Sequence, residues 1–332
     1  MTRWILCFDG TWNDDDGSQG DRETLTNVCR LYQSIPATPE QVKWYDKGVG
    51  TGFLDRLRGG LFGIGLDENI RQGYKWLAHR YRTGDRIYLF GFSRGAYTAR
   101  SLGGFIRRAG LLRNELVDDH EQDPHEAAVT EAYEIYRSRD AACLYDGATA
   151  QAFRAANSRE VDIELIGVWD TVGTLGIPGD WLGRLDDRRY LFHDTGLGPH
   201  VKRAAHAVAI DEHREDYAAT LWSPEPRVAQ VWFAGAHADV GGGYREHELA
   251  DTALRWMQLE CAAAGIDLAP APAQPLTGRE PLHDSFKLFM RGTYAAARKN
   301  ERSYRTVDKG ALHPSVTERM GKNPAYRPPN LV

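Results

Sequence analysis

Cysteine is scarce in the sequence, and the four cysteines present are far apart along the chain. Their spacing fits neither a zinc site nor a disulfide framework, so we expect reduced thiols in a cytoplasmic protein. Long apolar runs are also missing, and no segment approaches the roughly eighteen residues of a membrane-spanning helix. The N-terminal residues lack the apolar centre of a secretory signal, although export without a cleaved signal stays open.

An excess of one charge sign is missing as well. Acidic and basic residues are interspersed, and the formal net charge is only −5 over 332 residues. Without a basic stripe, we expect no nucleic-acid partner. Hydrophobic residues make up 42% of the chain and aromatic residues 11%, which is enough for a sizeable core and excludes a chain disordered throughout.

Short apolar runs alternate with helical patterns along the chain. Strands are predicted over residues 4–8, 42–45, 87–90, 163–169 and 228–233, and helices over 27–34, 66–82, 96–111, 126–139, 151–157, 199–209 and 251–264. This alternation is typical of a parallel, doubly wound α/β sheet. We expect one domain over 1–332, with a helical insertion around 112–160 and a C-terminal covering segment over 267–332. The proline-rich end from residue 309 is predicted to be irregular.

The pentapeptide Gly91-Phe-Ser-Arg-Gly95 lies between a predicted strand and a predicted helix. G-x-S-x-G alone is a weak signal, but strand, sharp turn and helix together are the setting of a nucleophile elbow. In an elbow the serine is held in a strained backbone conformation, and the two glycines let strand and helix pass closely. The pattern predicts that Ser93 is a nucleophile, and the alternative is an ordinary glycine-rich turn.

Polar residues directly follow four of the predicted strands. They are Asp9 with Gly10 and Thr11, then Ser93, then Asp170, and finally His237 with Asp239. Ligands of an open parallel sheet bind beyond the carboxyl ends of its strands, and Ser, Asp, His is the chain order of α/β-hydrolases. His237 is therefore predicted to be the base that takes the Ser93 proton, and Asp170 the acid that orients it.

A second triad and the oxyanion donors complete the candidate site. Asp239 as acid with His283 as base stays open as an alternative to Asp170 and His237. Acyl transfer also needs donors for a developing oxyanion. We expect these to be the Arg94 amide, at a helix N-terminus, and the Gly10 and Thr11 amides. No metal and no organic cofactor is needed for this chemistry.

Several longer motifs carry a family resemblance that covers nearly the whole chain. They are Phe8-Asp-Gly-Thr-Trp-Asn13, Gly91-Phe-Ser-Arg-Gly-Ala-Tyr97, Gly167-Val-Trp-Asp-Thr-Val172, Asp211-Glu-His-Arg214, Phe233-Ala-Gly-Ala-His-Ala-Asp-Val-Gly-Gly-Gly-Tyr244 and Tyr326-Arg-Pro-Pro-Asn330. Together they resemble an α/β-hydrolase family that includes the type VI secretion phospholipase effectors of bacteria and fungal homologues. The resemblance implies a triad of Ser93, an aspartate and a histidine, and hydrolysis of lipid esters. Asp170-Thr-Val-Gly-Thr-Leu also resembles the acid motif of filamentous-fungus triglyceride lipases, which favours Asp170 and Thr11.

The expected function is hydrolysis of carboxylic esters, lipid esters first, through a serine acyl-enzyme. The expected partner is a small-molecule or lipid ester. Peripheral membrane contact stays open, although no segment predicts an amphipathic membrane helix. Two alternatives are an esterase or amidase acting on a non-lipid metabolite and a hydrolase-fold binding protein in which Ser93 is vestigial.

Overall fold

A six-stranded sheet lies at the centre of the structure. The computed structural model describes residues 1–10, 24–48, 62–117, 126–173 and 196–331. The strands of this sheet are β1 (Arg3–Phe8), β2 (Gln41–Asp46), β3 (Arg86–Phe92), β6 (Ile163–Trp169), β7 (Ala204–Ala209) and β8 (Val228–Phe233). A separate antiparallel pair consists of β4 (Leu111–Leu112) and β5 (Ser158–Arg159).

The strand order positions the candidate residues at one edge. The order is β2-β1-β3-β6-β7-β8, and every pairing is parallel. Phe8 of β1 is opposite Gly91 of β3, and Phe92 is opposite Trp169 of β6. The loops that begin at Asp9, Ser93 and Asp170 therefore leave the sheet side by side. The strand order reverses between β1 and β3, because β2 is added on one side of β1 and the later strands on the other, and such a switch point is where open parallel sheets form a ligand crevice.

Helices cover both faces of the sheet. The helices are α1 (Asn27–Ser34), α2 (Phe62–Arg80), α3 (Arg94–Ala109), α4 (Glu126–Arg137), α5 (Ala148–Asn157), α6 (His237–Gly241), α7 (Glu248–Ala263), α8 (Ser285–Leu288), α9 (Thr293–Ala297) and α10 (Pro314–Lys322). Alternate residues of β1 point to opposite faces: Leu6 packs with α2 and α3, whereas Cys7 packs with α1 and α7. The predicted parallel, doubly wound α/β fold is confirmed.

The helix predicted over residues 199–209 is wrong, because the chain forms strand β7 from Ala204 to Ala209. Alanine has the highest helix propensity, and four alanines in six residues favour a helix when read locally. All six residues are buried, however, since β7 lies between β6 and β8 and is covered on both faces. A strand buried on both faces has no polar alternation that would identify it.

The C-terminal residues are more regular than predicted. From residue 309 the chain forms a short 3₁₀ turn and then α10, so the irregular segment predicted there is wrong over Pro314–Lys322. His313 caps this helix, because its Nδ1 accepts a hydrogen bond from the Ser315 amide at 3.2 Å. Pro314 takes the first helical position, where the missing N–H has no consequence. The proline thus marks a helix start.

Two segments correspond to the predicted additions to the sheet. Between β4 and β5 the chain forms α4 and α5, which pack on the same face as α2 and α3. Near the C-terminus, Val316 of α10 packs with Val208 and Trp232, beside the last two strands. The single-domain division over 1–332 stays a prediction.

Candidate active site

Ser93 occupies a strained turn between β3 and α3. Its φ of 57° and ψ of −119° are rare for a residue with a side chain. The Ser93 amide donates to the Trp169 carbonyl at 3.1 Å, which ties the turn to the end of β6. Strain of this kind costs about 1–3 kcal/mol and persists only where the surrounding structure imposes it.

The two glycines of the pentapeptide are required by close backbone contacts. A Cβ on Gly91 would lie 2.2 Å from the Gly95 carbonyl oxygen. A Cβ on Gly95 would lie 2.1 Å from the carbonyl oxygen of Phe8, the last residue of β1. Helix α3 therefore begins in backbone contact with the strands on which it packs, and only glycine fits at these positions.

The stability of two α3 variants tests this packing. We expect Gly95→Ala to lower the free energy of unfolding by at least about 2 kcal/mol, because the clash is with rigid backbone. Gly104→Ala is the matched control on the same helix, since its Cβ would lie 3.5 Å from the Tyr136 ring, an ordinary contact. Helix propensity predicts that Gly104→Ala is neutral or stabilising by up to about 1 kcal/mol. Denaturant unfolding measures both changes, and equal effects would contradict the packing argument.

Asp170 and His237 form a buried hydrogen-bonded pair. His237 begins α6 after β8, Asp170 follows β6, and the His237 Nδ1 lies 2.6 Å from the Asp170 Oδ2. The carboxylate accepts a hydrogen bond from the Nδ1–H, which leaves Nε2 as the basic nitrogen of the ring. The His237 ring lies 4.6 Å from the Phe92 ring, next to Ser93. Burial lowers the pKa of His237, and the hydrogen bond that its Nδ1 donates to Asp170 opposes this shift.

A second partner, Arg305, binds the same carboxylate. Its Nη1 lies 2.6 Å from the Asp170 Oδ1, and its Nη2 lies 3.0 Å from the Oδ2. Burial raises the pKa of Asp170, but Arg305 and His237 outweigh it and hold that pKa well below its usual range. No local sequence pattern connects Arg305 to Asp170, 135 residues earlier, so the sequence alone does not predict this contact.

The motif Asp211-Glu-His-Arg214 supplies another buried ion pair next to His237. Glu212 accepts from the His237 amide at 3.2 Å and from the Ser285 hydroxyl at 2.9 Å. Arg214 donates to both Glu212 oxygens, each at 2.8 Å, and its guanidinium carbon lies 3.4 Å from the centre of the Tyr217 ring. Burial raises the pKa of Glu212, but Arg214 outweighs it and lowers that pKa to about 2. The motif carried only the family resemblance in the sequence, without a role for its residues.

The alternative residues Asp239 and His283 also form a pair with each other. The His283 Nδ1 lies 2.6 Å from the Asp239 Oδ1, and the Asp239 Oδ2 accepts from the Ala236 amide at 2.9 Å. The Tyr244 ring stacks on His283 at 3.8 Å, and the His283 Nε2 lies 3.6 Å from the Glu246 carboxylate. The hydrogen bond that the His283 Nδ1 donates to Asp239 raises the pKa of His283. This pair fastens the segment before α8 to α6.

A cavity of about 420 Å³ beside Ser93 distinguishes the two candidate histidines. Among the described residues, it is lined by Ser93 and His237 but not by His283. Its other lining residues are Gly10, Thr24, Thr26, Phe92, Arg214, Tyr217, Ala238, Gly242, Gly243, Tyr244, Leu288 and Phe289. Ser93 and His237 thus line the same cavity, and Asp170 contacts His237. His283 stacks on Tyr244, which lines the cavity, and it contacts Asp239.

The predicted oxyanion donors differ in their surroundings. The Arg94 amide is the first of α3, directly after Ser93. Gly10 lies beside Ser93, but its amide donates to the Asp9 carboxylate at 2.7 Å. Asp9 is buried, accepts from the Thr26 hydroxyl at 2.6 Å, and burial raises its pKa to about 6. Thr11 lies outside the described residues, so its predicted role stays a prediction.

The described residues also bear on metal binding and on membrane crossing. Within the described ranges, no group of three or more His, Cys, Asp or Glu residues could hold a metal ion. No helix within the same ranges is long and apolar enough to cross a membrane. All four cysteines are free, two of them buried.

The fold and the site define the class to which the protein belongs. A parallel doubly wound sheet, with a serine on a strained strand-to-helix turn and a histidine after the last strand, is the α/β-hydrolase architecture. Residues 2–260 match the family described as "T6SS, Phospholipase effector Tle1-like, catalytic domain". The chain belongs to this family, which confirms the resemblance found in the sequence motifs.

Individual proteins similar to this chain have low sequence identity to it or are much longer than it. An uncharacterized protein of Saccharomyces cerevisiae, YEL023C, is 33% identical over 252 residues, covering 69% of this chain and 34% of the yeast protein. A crystal structure of an uncharacterized Pseudomonas aeruginosa protein is 20% identical, covering 81% of this chain and 46% of that one, with a TM-score of 0.47. The Tle1 effector bound to the VgrG spike of a type 6 secretion system is 15% identical, covering 97% and 83%, with a TM-score of 0.49. The chain spans about a third of the yeast relative.

Proposed function

We propose that the protein is a serine carboxylic-ester hydrolase that acts on lipid esters, phospholipids first, through an acyl-enzyme. The observation that supports this most directly is the cavity shared by Ser93 and His237, with His237 hydrogen-bonded to Asp170 at 2.6 Å. Membership of a family named for phospholipase effectors supports the substrate class.

Acylation starts at the Ser93 hydroxyl. A serine hydroxyl is a weak nucleophile at neutral pH, so His237 takes its proton on Nε2 as Oγ attacks the ester carbonyl carbon. The Asp170 carboxylate accepts a hydrogen bond from the His237 Nδ1–H, which keeps that proton on Nδ1, and it stabilises the imidazolium that forms. The tetrahedral oxyanion is held by the Arg94 amide and a second donor from the Gly10–Thr11 loop. The imidazolium then gives its proton to the leaving alcohol, and the acyl group stays on Ser93.

Deacylation repeats these steps with water. His237 takes a proton from a water molecule, whose oxygen attacks the acyl carbon, and then returns that proton to the Ser93 Oγ as the fatty acid leaves. For the second oxyanion donor, the Gly10 amide would have to exchange its bond to Asp9 for one to the substrate. The Thr11 amide and hydroxyl are the other predicted donors.

The cavity offers an apolar wall for a substrate chain. Tyr217, Leu288 and Phe289 form this wall, and Leu288 is 58% exposed. Arg214 also lines the cavity, but its guanidinium is already paired with both oxygens of Glu212, so it does not supply an anion site. An acyl chain along the apolar wall would place the ester at Ser93.

Matched substrates test the lipid assignment. We expect fatty-acid release from phosphatidylglycerol and phosphatidylcholine vesicles, at least about tenfold faster per ester than from monomeric ethyl butyrate, which also has an alkoxide leaving group, because binding energy from a remote chain accelerates the reaction. Titration of the released acid measures both rates, with Ser93→Ala as the control preparation. Turnover of the soluble ester alone would replace the lipid assignment by the non-lipid esterase. Turnover of neither substrate would favour the binding protein.

A further inference from the structure

Arg305 contacts the candidate triad through Asp170, although it is not itself a member of the triad. It lies beyond residue 260, where the family match ends, in the segment between α9 and α10. Its side chain is 7% exposed, and its guanidinium reaches both oxygens of Asp170. A planar guanidinium fixes the orientation of a carboxylate in a way that a single hydrogen bond does not.

Arg305 is itself fixed by carbonyl groups at the same sheet edge. Its Nη1 donates to the Ala209 carbonyl at 2.8 Å, and its Nη2 donates to the Tyr217 carbonyl at 2.5 Å. The Asn330 side chain donates to the Arg305 carbonyl at 3.3 Å and to the Ile210 carbonyl at 3.1 Å. The ends of β6 and β7 and the last residues of the chain are therefore joined through one side chain.

The charges around His237 balance because Arg305 is present. Asp170 contacts its Nδ1, and Glu212 accepts from its amide. Arg214 pairs with Glu212, and Arg305 pairs with Asp170. Among the described residues, Tyr217 also packs against the ring, with 5.1 Å between the ring centres, and burial raises its pKa, so it is neutral. Two carboxylates face two guanidiniums, and an imidazolium at His237 gains no net negative surroundings.

We propose that Arg305 is a positioning residue that fixes the orientation of the Asp170 carboxylate. Because its positive charge offsets the negative charge of Asp170, Arg305 also keeps His237 in the neutral, basic form under mildly acidic conditions. This inference rests on the proposed function for its effect on turnover, and on geometry alone for its effect on His237. A purely structural pin would change stability or the rate at every pH, but not the pH at which His237 titrates.

Three variants separate these roles through the pH dependence of kcat/KM. Arg305→Gln removes the charge, so the acid limb should move up by about one pH unit, and the plateau should fall because Asp170 is less well held. Arg305→Lys keeps the charge but not the fork, so its limb should stay within about 0.3 units of the parent limb while its plateau falls. The matched control is Arg302→Gln, which breaks a salt bridge to Asp284 at 2.6 Å in the same segment. It should leave the profile unchanged.

The titration of His237 gives a readout that does not need turnover. Histidine-selective ¹⁵N labelling, with His237→Gln to assign the resonance, should show His237 titrating below the ordinary value of about 6.5 in the parent protein. In Arg305→Gln it should titrate about one unit higher. Equal values in both proteins, or a parent value at or above the ordinary one, would overturn the proposal.

The two readouts distinguish a failure of this proposal from a failure of the proposed function. A protein without Ser93-dependent turnover in which His237 still shifts would refute the hydrolase and leave the role of Arg305 supported. A hydrolase in which the limb and His237 do not move would refute the role of Arg305 alone. If Arg305→Gln does not fold by circular dichroism, Arg305→Met, which keeps the length of the side chain without its charge, replaces it in both measurements, and an unshifted His237 in that variant would equally overturn the proposal.

Discussion

Replacing Ser93 with alanine is expected to reduce ester hydrolysis to the background rate, a fall of about 10⁴-fold or more. The reason is that no acyl-enzyme can form without the Ser93 hydroxyl, and the remaining oxyanion donors give only residual catalysis. Initial rates with a chromogenic short-chain ester and with phospholipid vesicles measure the loss. A fluorophosphonate probe should label the parent protein at Ser93, in its native state only.

The control for this experiment lies on the same helix. Ser101 is a buried α3 serine that does not line the Ser93 cavity. Ser101→Ala should therefore keep both hydrolysis and labelling. Undiminished turnover by Ser93→Ala would refute the nucleophile, and labelling that persists in this variant would assign the probe to another residue.

The strain at Ser93 gives the same position a stability signature. Alanine keeps the penalty for a φ of 57°, whereas glycine does not. Ser93→Gly should therefore unfold with a free energy about 1 kcal/mol higher than Ser93→Ala, although both lack activity. Equal stabilities would mean that the turn is relaxed in solution.

The parts of this fold that the sequence predicts are those in which local pattern and tertiary packing agree. β1 and β3 are apolar after their first residue, and β6 is apolar except for Glu164. Gly91 and Gly95 mark the close backbone contacts that let α3 start on the sheet. Because parallel strands end at one edge, Asp170 and His237 could be placed near Ser93 before any coordinates.

The parts that the sequence does not predict depend on long-range contacts. β7 is a strand because two neighbouring strands and two layers of helices surround it, and its alanines carry no such information. Arg305 reaches Asp170 from a segment with no periodic pattern. Glu212 holds the His237 amide from the end of another strand. In each case the partner that decides the role is remote in sequence.

The choice between the two histidines turns on the geometry of α6. His237 and Asp239 are two positions apart on this five-residue helix, and at 100° per residue their side chains point to opposite sides. One side faces Asp170 and the Ser93 cavity, and the other faces His283 and Tyr244. Sequence spacing alone allows either side to face the nucleophile.

Replacing His237 with alanine should reduce kcat/KM by about 10⁴-fold or more, because Ser93 then loses the base that takes its proton. His283→Ala should retain activity within about threefold at the pH optimum, because its ring lies behind Tyr244 and contacts Asp239. Parallel kinetics on one ester, with circular dichroism of both variants, make the comparison. The reverse order of losses would assign catalysis to Asp239 and His283.

The stability of His283→Ala should identify what that second pair does. The hydrogen bond that the His283 Nδ1 donates to Asp239 raises the pKa of His283, so protonated His283 stabilises the folded state. That contribution is fully present below the ordinary histidine value of about 6.5 and is lost as pH rises through the raised value. The variant should therefore lose more unfolding free energy at about pH 6 than at about pH 9. A loss independent of pH would leave only packing against Tyr244, whereas the expected dependence makes His283 a structural clasp between α6 and the segment before α8.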